Sequence, residues 1–201
     1  MTTLLFATRN PGKLRELRGL LAPEGIEVRG LDQVPGAPEV EEDGATFREN
    51  AWKKARALAG FAGLPALADD SGLAVEALGG RPGVRSARYA GPGAADADNN
   101  RRLLEELRGV PPEGRRAAFV CAMALAVPGN ARAEAEAQGR LEGRLLEAPR
   151  GTGGFGYDPL FLVEEAGLTL AEMELPAKNR LSHRARALAA LLPRLRELAR
   201  G

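Results

Sequence analysis

The chain has 201 residues, 44% of them hydrophobic and only 4% aromatic, which suits one domain whose core consists of aliphatic side chains. A net charge of +1 excludes the strong basic field that attracts nucleic acids or acidic membranes. The single cysteine, Cys121, excludes an internal disulfide and any multi-cysteine zinc site. Residues 1–7 lack the basic segment of a signal peptide, and the longest apolar run, 117–127, is shorter than the ~20 residues of a membrane span. We therefore expect a cytoplasmic protein that binds neither nucleic acid nor membrane.

The start of the chain predicts a strand, a polar turn and a helix. Residues 4–7 form a compact apolar run typical of a buried strand. Asn10 followed by Pro11 is a strong helix start, with Asn as the N-cap and Pro at the first helical position. The free N–H groups of this turn, together with Thr8 and Lys13, form a natural anion site. An ordinary capped helix with a solvated lysine fits the same pattern equally well.

A second helix is predicted over residues 47–58. Thr46 and Glu49 have the spacing of a capping box, and the helix is expected to end before Gly60. Asn50 and Lys54 lie one turn apart and therefore share a face of this helix. Lys54 is the lysine expected to point toward a ligand.

Two adjacent carboxylates, Asp69 and Asp70, follow a short apolar run. The run is predicted to be a buried strand that breaks into a turn at the two acids. Such a pair can hold a hard cation such as Mg²⁺, or one acid can bind metal while the other takes a proton from water. The bland alternative is a simple turn, because Asp, Ser and Gly all favour turns. The acidic segment 39–43 is a solvated loop unless one of its acids reaches the metal of Asp70.

The remaining elements follow from apolar patterning. The predicted strands lie near 26–28, 73–75, 117–127, 132–145 and 160–163, and the predicted helices lie at 96–107 and in a final segment that ends near Arg200. The strands 117–127 and 132–145 are expected to form a hairpin.

Two further stretches have unusual composition. The glycine-rich segment 149–159 contains Phe155 and Tyr157, which indicates either a stacking surface for a base or a loop whose aromatic rings pack into the core. A second stretch is rich in hydrogen-bond donors and suits carbonyl or phosphate oxygens better than a metal. It contains Lys178, Asn179, Ser182, His183 and Arg184.

Taken in order, these motifs resemble those of the Ham1-type inosine/xanthosine triphosphate pyrophosphatases. The matching segments are 7–13, 41–42 with 44–54, 68–73, 81–84 with 86–89, 151–159, and 178–179 with 182–184. The resemblance spans essentially the whole chain. It implies one pyrophosphatase domain over residues 1–201, with an α/β fold in which a long, curved mixed central sheet is flanked by helices and two lobes enclose a cleft. It also implies a homodimer that requires Mg²⁺ and cuts the α–β phosphate bond of ITP, dITP and XTP.

The resemblance also implies roles for individual residues. Asp70 is the expected base, positioned by Asp69, and Glu41 and Asp70 are the expected Mg²⁺ ligands, although the residues themselves leave open whether Glu41 or Glu42 binds the metal. The expected substrate-binding residues are Thr8, Arg9, Asn10, Pro11, Gly12, Lys13, Lys54, Ser71, Phe155, Gly156, Tyr157, Asp158, Lys178, His183 and Arg184. Among these, Phe155 is expected to stack on the base, and His183 and Arg184 are expected to donate to its 6-keto oxygen.

Two rival functions fit parts of the same sequence pattern. A phosphomonoesterase would release orthophosphate, and only the resemblance selects the α–β bond instead. A non-catalytic nucleotide-binding or nucleic-acid-binding module would not need the Asp69–Asp70 pair, and the near-neutral charge argues against nucleic acid.

Overall fold

The computed structural model describes residues 3–200, and all structural statements below refer to that part of the chain. The strands are β1 (Thr3–Phe6), β2 (Glu27–Arg29), β3 (Ala66–Val75), β4 (Arg116–Ala126), β5 (Ala135–Leu145), β6 (Phe161–Val163) and β7 (Leu168–Thr169). The helices are α1 (Pro11–Leu21), α2 (Phe47–Ala62), α3 (Asp96–Glu106), α4 (Leu175–Leu181) and α5 (His183–Arg200). No helix among the described residues is both long enough and apolar enough to cross a membrane.

The seven strands form one mixed sheet in the order β2–β1–β3–β4–β5–β6–β7. Strand β1 pairs in parallel with β2 and β3, whereas β6 is antiparallel to both β5 and β7. The α/β class and the mixed sheet expected from the sequence are therefore confirmed. Strand β7 and helix α4 were not predicted, because each is shorter than the window over which apolar periodicity can be read.

The largest departure from the sequence-based prediction is in β3. This strand is ten residues long and runs through both aspartates, so the predicted turn at Asp69 and Asp70 is wrong. Asp has a poor intrinsic preference for strands, but strand preference depends strongly on the packing of each side chain. Here both carboxylates are buried and have polar partners on neighbouring helices. Tertiary contacts therefore override the turn preference.

Helix α2 also extends further than predicted. It passes through Gly60 and ends at Ala62, where Gly63 adopts a left-handed φ of 63°. A glycine inside a helix is unfavourable by only about 1 kcal/mol, whereas a left-handed C-terminal residue is a position that glycine occupies at little cost. Gly63 rather than Gly60 therefore terminates the helix.

One compact unit of the chain contains residues up to Asp70, residues 121–139 and residues from Ser182 onward. Its core has two apolar clusters. Alternate residues of β1 and β3, including Phe6 and Leu67, pack with α1 and α5, while the intervening residues, including Leu5 and Ala68, pack with α2. Because successive strand residues point to opposite faces, neighbours along β3 meet different helices.

The second compact unit contains residues 71–120 and 140–181. Its core is a single cluster in which Leu73 and Val75 pack with Leu103 of α3, with Leu107 directly after that helix and with Phe161 of β6. The rings of Phe119 and Phe161 lie 4.7 Å apart in a tilted arrangement. This core supports the glycine-rich segment that carries Phe155.

Candidate active site

The turn before α1 has the capped geometry that the sequence predicts. The Asn10 side-chain oxygen accepts a hydrogen bond from the Lys13 backbone N–H at 3.1 Å, and the Thr8 hydroxyl accepts one from the Asn10 N–H at 3.2 Å. The Lys13 ammonium lies 3.0 Å from Asp69 Oδ2. Arg9 is exposed and donates to the Ala37 carbonyl at 3.0 Å. The α1 N-terminus and Lys13 are thus brought beside the first aspartate.

Asp69 is buried among cations. Nε and Nη2 of Arg184 each lie 3.2 Å from Asp69 Oδ2, and Lys13 approaches the same oxygen. Burial alone would raise the pKa of Asp69, but the charges of Lys13, Arg184 and Lys54 outweigh burial and hold this pKa well below its usual range. Asp69 is therefore favoured as an ionised carboxylate, held by Lys13 and Arg184.

Arg184 lies between two buried carboxylates, those of Asp69 and Glu16. Its side chain is 1% exposed and is the largest fully buried side chain among the described residues. Besides Asp69, its guanidinium donates to Glu16 of α1. Glu16 was not predicted to belong to the site. The signal that could have found it is its position three residues after Lys13, which places both side chains on one face of α1.

Asp70 faces the opposite side of the sheet and meets α2. Asn50 Nδ2 donates to Asp70 Oδ2 at 2.9 Å, and the Lys54 ammonium lies 3.9 Å from Asp70 Oδ1. The Asn50 side-chain oxygen accepts from the Gly44 N–H at 2.8 Å, which ties the end of the acidic segment to the same place. Burial raises the pKa of Asp70 against the opposing charges of Lys54 and Lys13. The predicted shared face of Asn50 and Lys54 is confirmed, but Asn50 itself was not predicted to contact the site.

The acidic segment contributes Glu42 to this side. Glu42 Oε1 lies 2.9 Å from the Lys54 ammonium, so Lys54 has carboxylates of Glu42 and Asp70 around it. Glu41 is exposed. No group of three His, Cys, Asp or Glu side chains within residues 3–200 is arranged to hold a metal ion. Two carboxylates that already surround a cation nevertheless fit Mg²⁺, which usually binds through one or two carboxylates together with substrate phosphates.

A separate group of predicted residues lies in the second unit. Asp158 Oδ2 accepts from the Phe155 N–H at 2.9 Å and from the Lys178 ammonium at 2.6 Å. The same ammonium lies 4.6 Å from the centre of the Phe155 ring, a cation–π distance. A side chain at Gly154 would collide with the Asp158 carboxylate. Asp158 therefore organises the loop, while Phe155 remains only partly buried.

The remaining predicted residues have varied environments. Tyr157 is buried and donates its hydroxyl to the Ser86 carbonyl at 2.9 Å, which is a structural contact. His183 is buried at the start of α5, and Ser71 is half-buried on β3. Pro11 and Gly12 form the first turn of α1.

A helix N-terminus, two lysines and buried carboxylates on a mixed sheet are typical of α/β proteins that bind phosphate groups. The sequence model of the Ham1 family matches residues 4–194 of this chain. The chain belongs to the Ham1 family.

Curated relatives resemble the chain over nearly its whole length. The dITP/XTP pyrophosphatase of Geobacter sulfurreducens is 58% identical over 191 residues, which are 95% of each chain. That of Geobacillus kaustophilus is 51% identical over 201 residues, covering 100% of this chain and 98% of its own. The structure of a HAM1 protein from Coxiella burnetii is 43% identical and superposes with a TM-score of 0.87, covering 98% of this chain and 100% of that one.

Proposed function

We propose that this protein hydrolyses the non-canonical purine nucleoside triphosphates dITP, XTP and ITP to the monophosphate and pyrophosphate. It thereby keeps deaminated purines out of DNA and RNA. The observation that carries this proposal is that the two adjacent aspartates have different polar partners. Asp69 is bound by the cations of Lys13 and Arg184, whereas Asp70 faces the ammonium of Lys54, the amide of Asn50 and the acidic segment. Relatives more than 50% identical over nearly the whole chain are dITP/XTP pyrophosphatases, which supports the same reaction here.

The triphosphate is assigned to the α1 N-terminus. Its anionic oxygens are bound by the N–H groups of the first turn, by Thr8 and Asn10, and by the ammonium of Lys13. Lys54 adds a second positive charge. We propose that the base then reaches the Phe155 loop, so that the substrate lies in a cleft between two lobes of a homodimer subunit. Ser71 adds a hydrogen bond to the substrate.

Asp70 is assigned as the general base of hydrolysis. Its carboxylate takes a proton from the attacking water, and a positioned base of this kind contributes about 10²–10⁴-fold to rate. Two adjacent acids with pKa values pushed in opposite directions are the expected arrangement for separate roles. Lys13 and Lys54 stabilise negative charge on the phosphates and on the departing pyrophosphate. Mg²⁺, bound by Glu42 and Asp70 together with substrate oxygens, would neutralise further phosphate charge.

Base selection is assigned to donors that suit a 6-keto oxygen. Adenine carries a 6-amino donor, and a buried donor left facing it loses about 1–3 kcal/mol. The Arg184 guanidinium already donates to Asp69 and Glu16. We therefore assign the contact with the keto oxygen to the neighbouring His183, and give Arg184 an indirect role through that residue. Phe155 stacks on the base for about 1–3 kcal/mol without distinguishing purines. Asp158 and Lys178 complete this part of the site.

Product analysis tests the function directly. The purified protein is incubated with Mg²⁺ and ITP, dITP or XTP, with ATP and GTP in parallel, and pyrophosphate is resolved from orthophosphate. We expect the monophosphate and pyrophosphate from the three non-canonical substrates and little product from ATP or GTP. Release of orthophosphate would instead support a phosphomonoesterase, and absence of turnover with every nucleotide would favour a binding module.

The choice between Glu41 and Glu42 is tested by a matched pair of variants. Glu42→Gln should raise the Mg²⁺ concentration needed for half-maximal activity about tenfold or more, because one of two carboxylate ligands is lost. Glu41→Gln, one residue away on an exposed side chain, should leave that concentration nearly unchanged. Mg²⁺ titrations of initial rate with saturating ITP measure both. A larger effect at Glu41 would reassign the metal ligand.

A further inference from the structure

Two side chains of α3 form hydrogen bonds with the backbone N–H and C=O of Gly156, which lies in the glycine-rich segment 149–159. Asp96 Oδ2 accepts a hydrogen bond from the Gly156 N–H at 2.6 Å, and Asn100 Nδ2 donates to the Gly156 carbonyl at 3.0 Å. Asp96 and Asn100 are one turn apart and share a face of α3. Gly156 has a φ of 61°, a left-handed conformation that glycine adopts readily. The two side chains thus select one backbone conformation between Phe155 and Tyr157.

The geometry around Asn100 shows that this contact is specific. Its side-chain oxygen is buried and accepts no hydrogen bond from the described residues, so the carbonyl of Gly156 sets the orientation of the amide. Asp96 is an exposed residue whose carboxylate nevertheless makes a short contact with the loop. Neither residue belongs to the apolar core of its unit. The contacts therefore serve the loop rather than the packing of α3.

Phe155 is the residue on which this constraint acts. Its ring is only partly buried, so core packing alone does not fix its direction. The Asp158 carboxylate accepts a hydrogen bond from the Phe155 N–H, and Asp96 and Asn100 fix the backbone of the next residue, Gly156. A ring held in advance loses less conformational freedom when a base stacks on it.

We propose that Asp96 and Asn100 are positioning residues for base binding, which act through Gly156 to hold the Phe155 ring where a purine stacks. The proposal rests on the proposed function, in which Phe155 contacts the base. It predicts that loss of either side chain weakens nucleotide binding while leaving the chemical step intact. Asp98 provides the matched control, because it lies in the same first turn of α3 but pairs with Arg101 at 2.7 Å.

The first test compares Asp96→Ala and Asn100→Ala with Asp98→Ala. Because alanine favours helices, all three variants are expected to retain α3. The two aspartate variants remove the same charge from its N-terminal turn. The KM for ITP and the Kd for ITP without Mg²⁺, measured by calorimetry, should rise about tenfold for Asp96→Ala, as expected for one lost hydrogen bond to a charged group. The kcat should remain near that of the wild type. Asp98→Ala should change neither constant, and an equal effect at Asp98 would overturn the proposal.

The second test is a double-mutant cycle with Phe155→Ala. If Asp96 acts through the Phe155 ring, adding Asp96→Ala to Phe155→Ala should produce little further loss of ITP binding. Additive losses would overturn the proposal, because a general structural role acts whether or not the ring is present. Wild-type turnover of ITP separately tests the proposed function, and the cycle measured as Kd does not depend on turnover. Failure of the wild type to bind ITP would overturn the positioning role as well.

Discussion

Asp70→Asn is expected to reduce kcat for dITP or ITP by about 10²–10⁴-fold, the usual contribution of a positioned general base. The amide has nearly the shape of the carboxylate but cannot accept a proton from water. The stability of the variant should equal or exceed that of the wild type, because burial raises the pKa of Asp70 and the ionised carboxylate is therefore disfavoured in the folded state. Steady-state kinetics and urea unfolding at pH 7 measure the two effects.

The neighbouring variant Asp69→Asn is the matched control. The pKa of Asp69 lies below its ordinary value, so its ionised form stabilises the folded state at every pH above the unfolded-state pKa. Removal of that charge leaves Lys13 and Arg184 without a shared carboxylate, and stability should fall. Normal turnover by Asp70→Asn would refute its assignment as the base. Equal losses of stability in both variants would refute the separation of roles.

Arg184→Met is expected to destabilise the protein by about 3–5 kcal/mol, the usual consequence of breaking a buried ion pair from one side. The substitution leaves the carboxylates of Glu16 and Asp69 buried without the guanidinium that joins them. Lys13 still approaches Asp69, so most of the uncompensated charge should lie on Glu16. Urea unfolding at pH 7, analysed at constant m-value, measures the loss.

Two variants make this result specific. Arg186→Met changes an exposed arginine of the same helix and should alter the free energy of unfolding by no more than about 0.5 kcal/mol. Adding Glu16→Gln to Arg184→Met should recover part of the stability, because it removes the carboxylate left without its partner. If Arg184→Met were no more destabilising than Arg186→Met, the buried network would not hold Arg184. A fall in the ITP-over-ATP ratio without loss of stability would instead return Arg184 to direct contact with the base.

Local sequence signals predicted much of the first unit. The Asn10 cap, the helix after it and the shared face of Asn50 and Lys54 depend on contacts within a few residues, and all three are confirmed. The long strand before residue 127 and the final helix follow from apolar periodicity over many residues and are also confirmed. The predicted end of α2 was wrong because Gly60 and Gly63 both lie near it in the sequence. Only the left-handed φ of Gly63 identifies the glycine that ends the helix.

The sequence by itself determined the family, the mixed α/β class and the candidate site residues Lys13, Lys54 and Arg184, which lie beside the two aspartates, because these depend on motif order and short-range periodicity. Only the tertiary structure decided that Asp69 and Asp70 lie within one strand and face different helices. It also decided that Arg184 joins Asp69 to Glu16 and that Asp96 and Asn100 hold Gly156. The physical reason is that each of these contacts joins residues at least 20 positions apart, where burial and charge pairing outweigh the local preferences that a sequence pattern records.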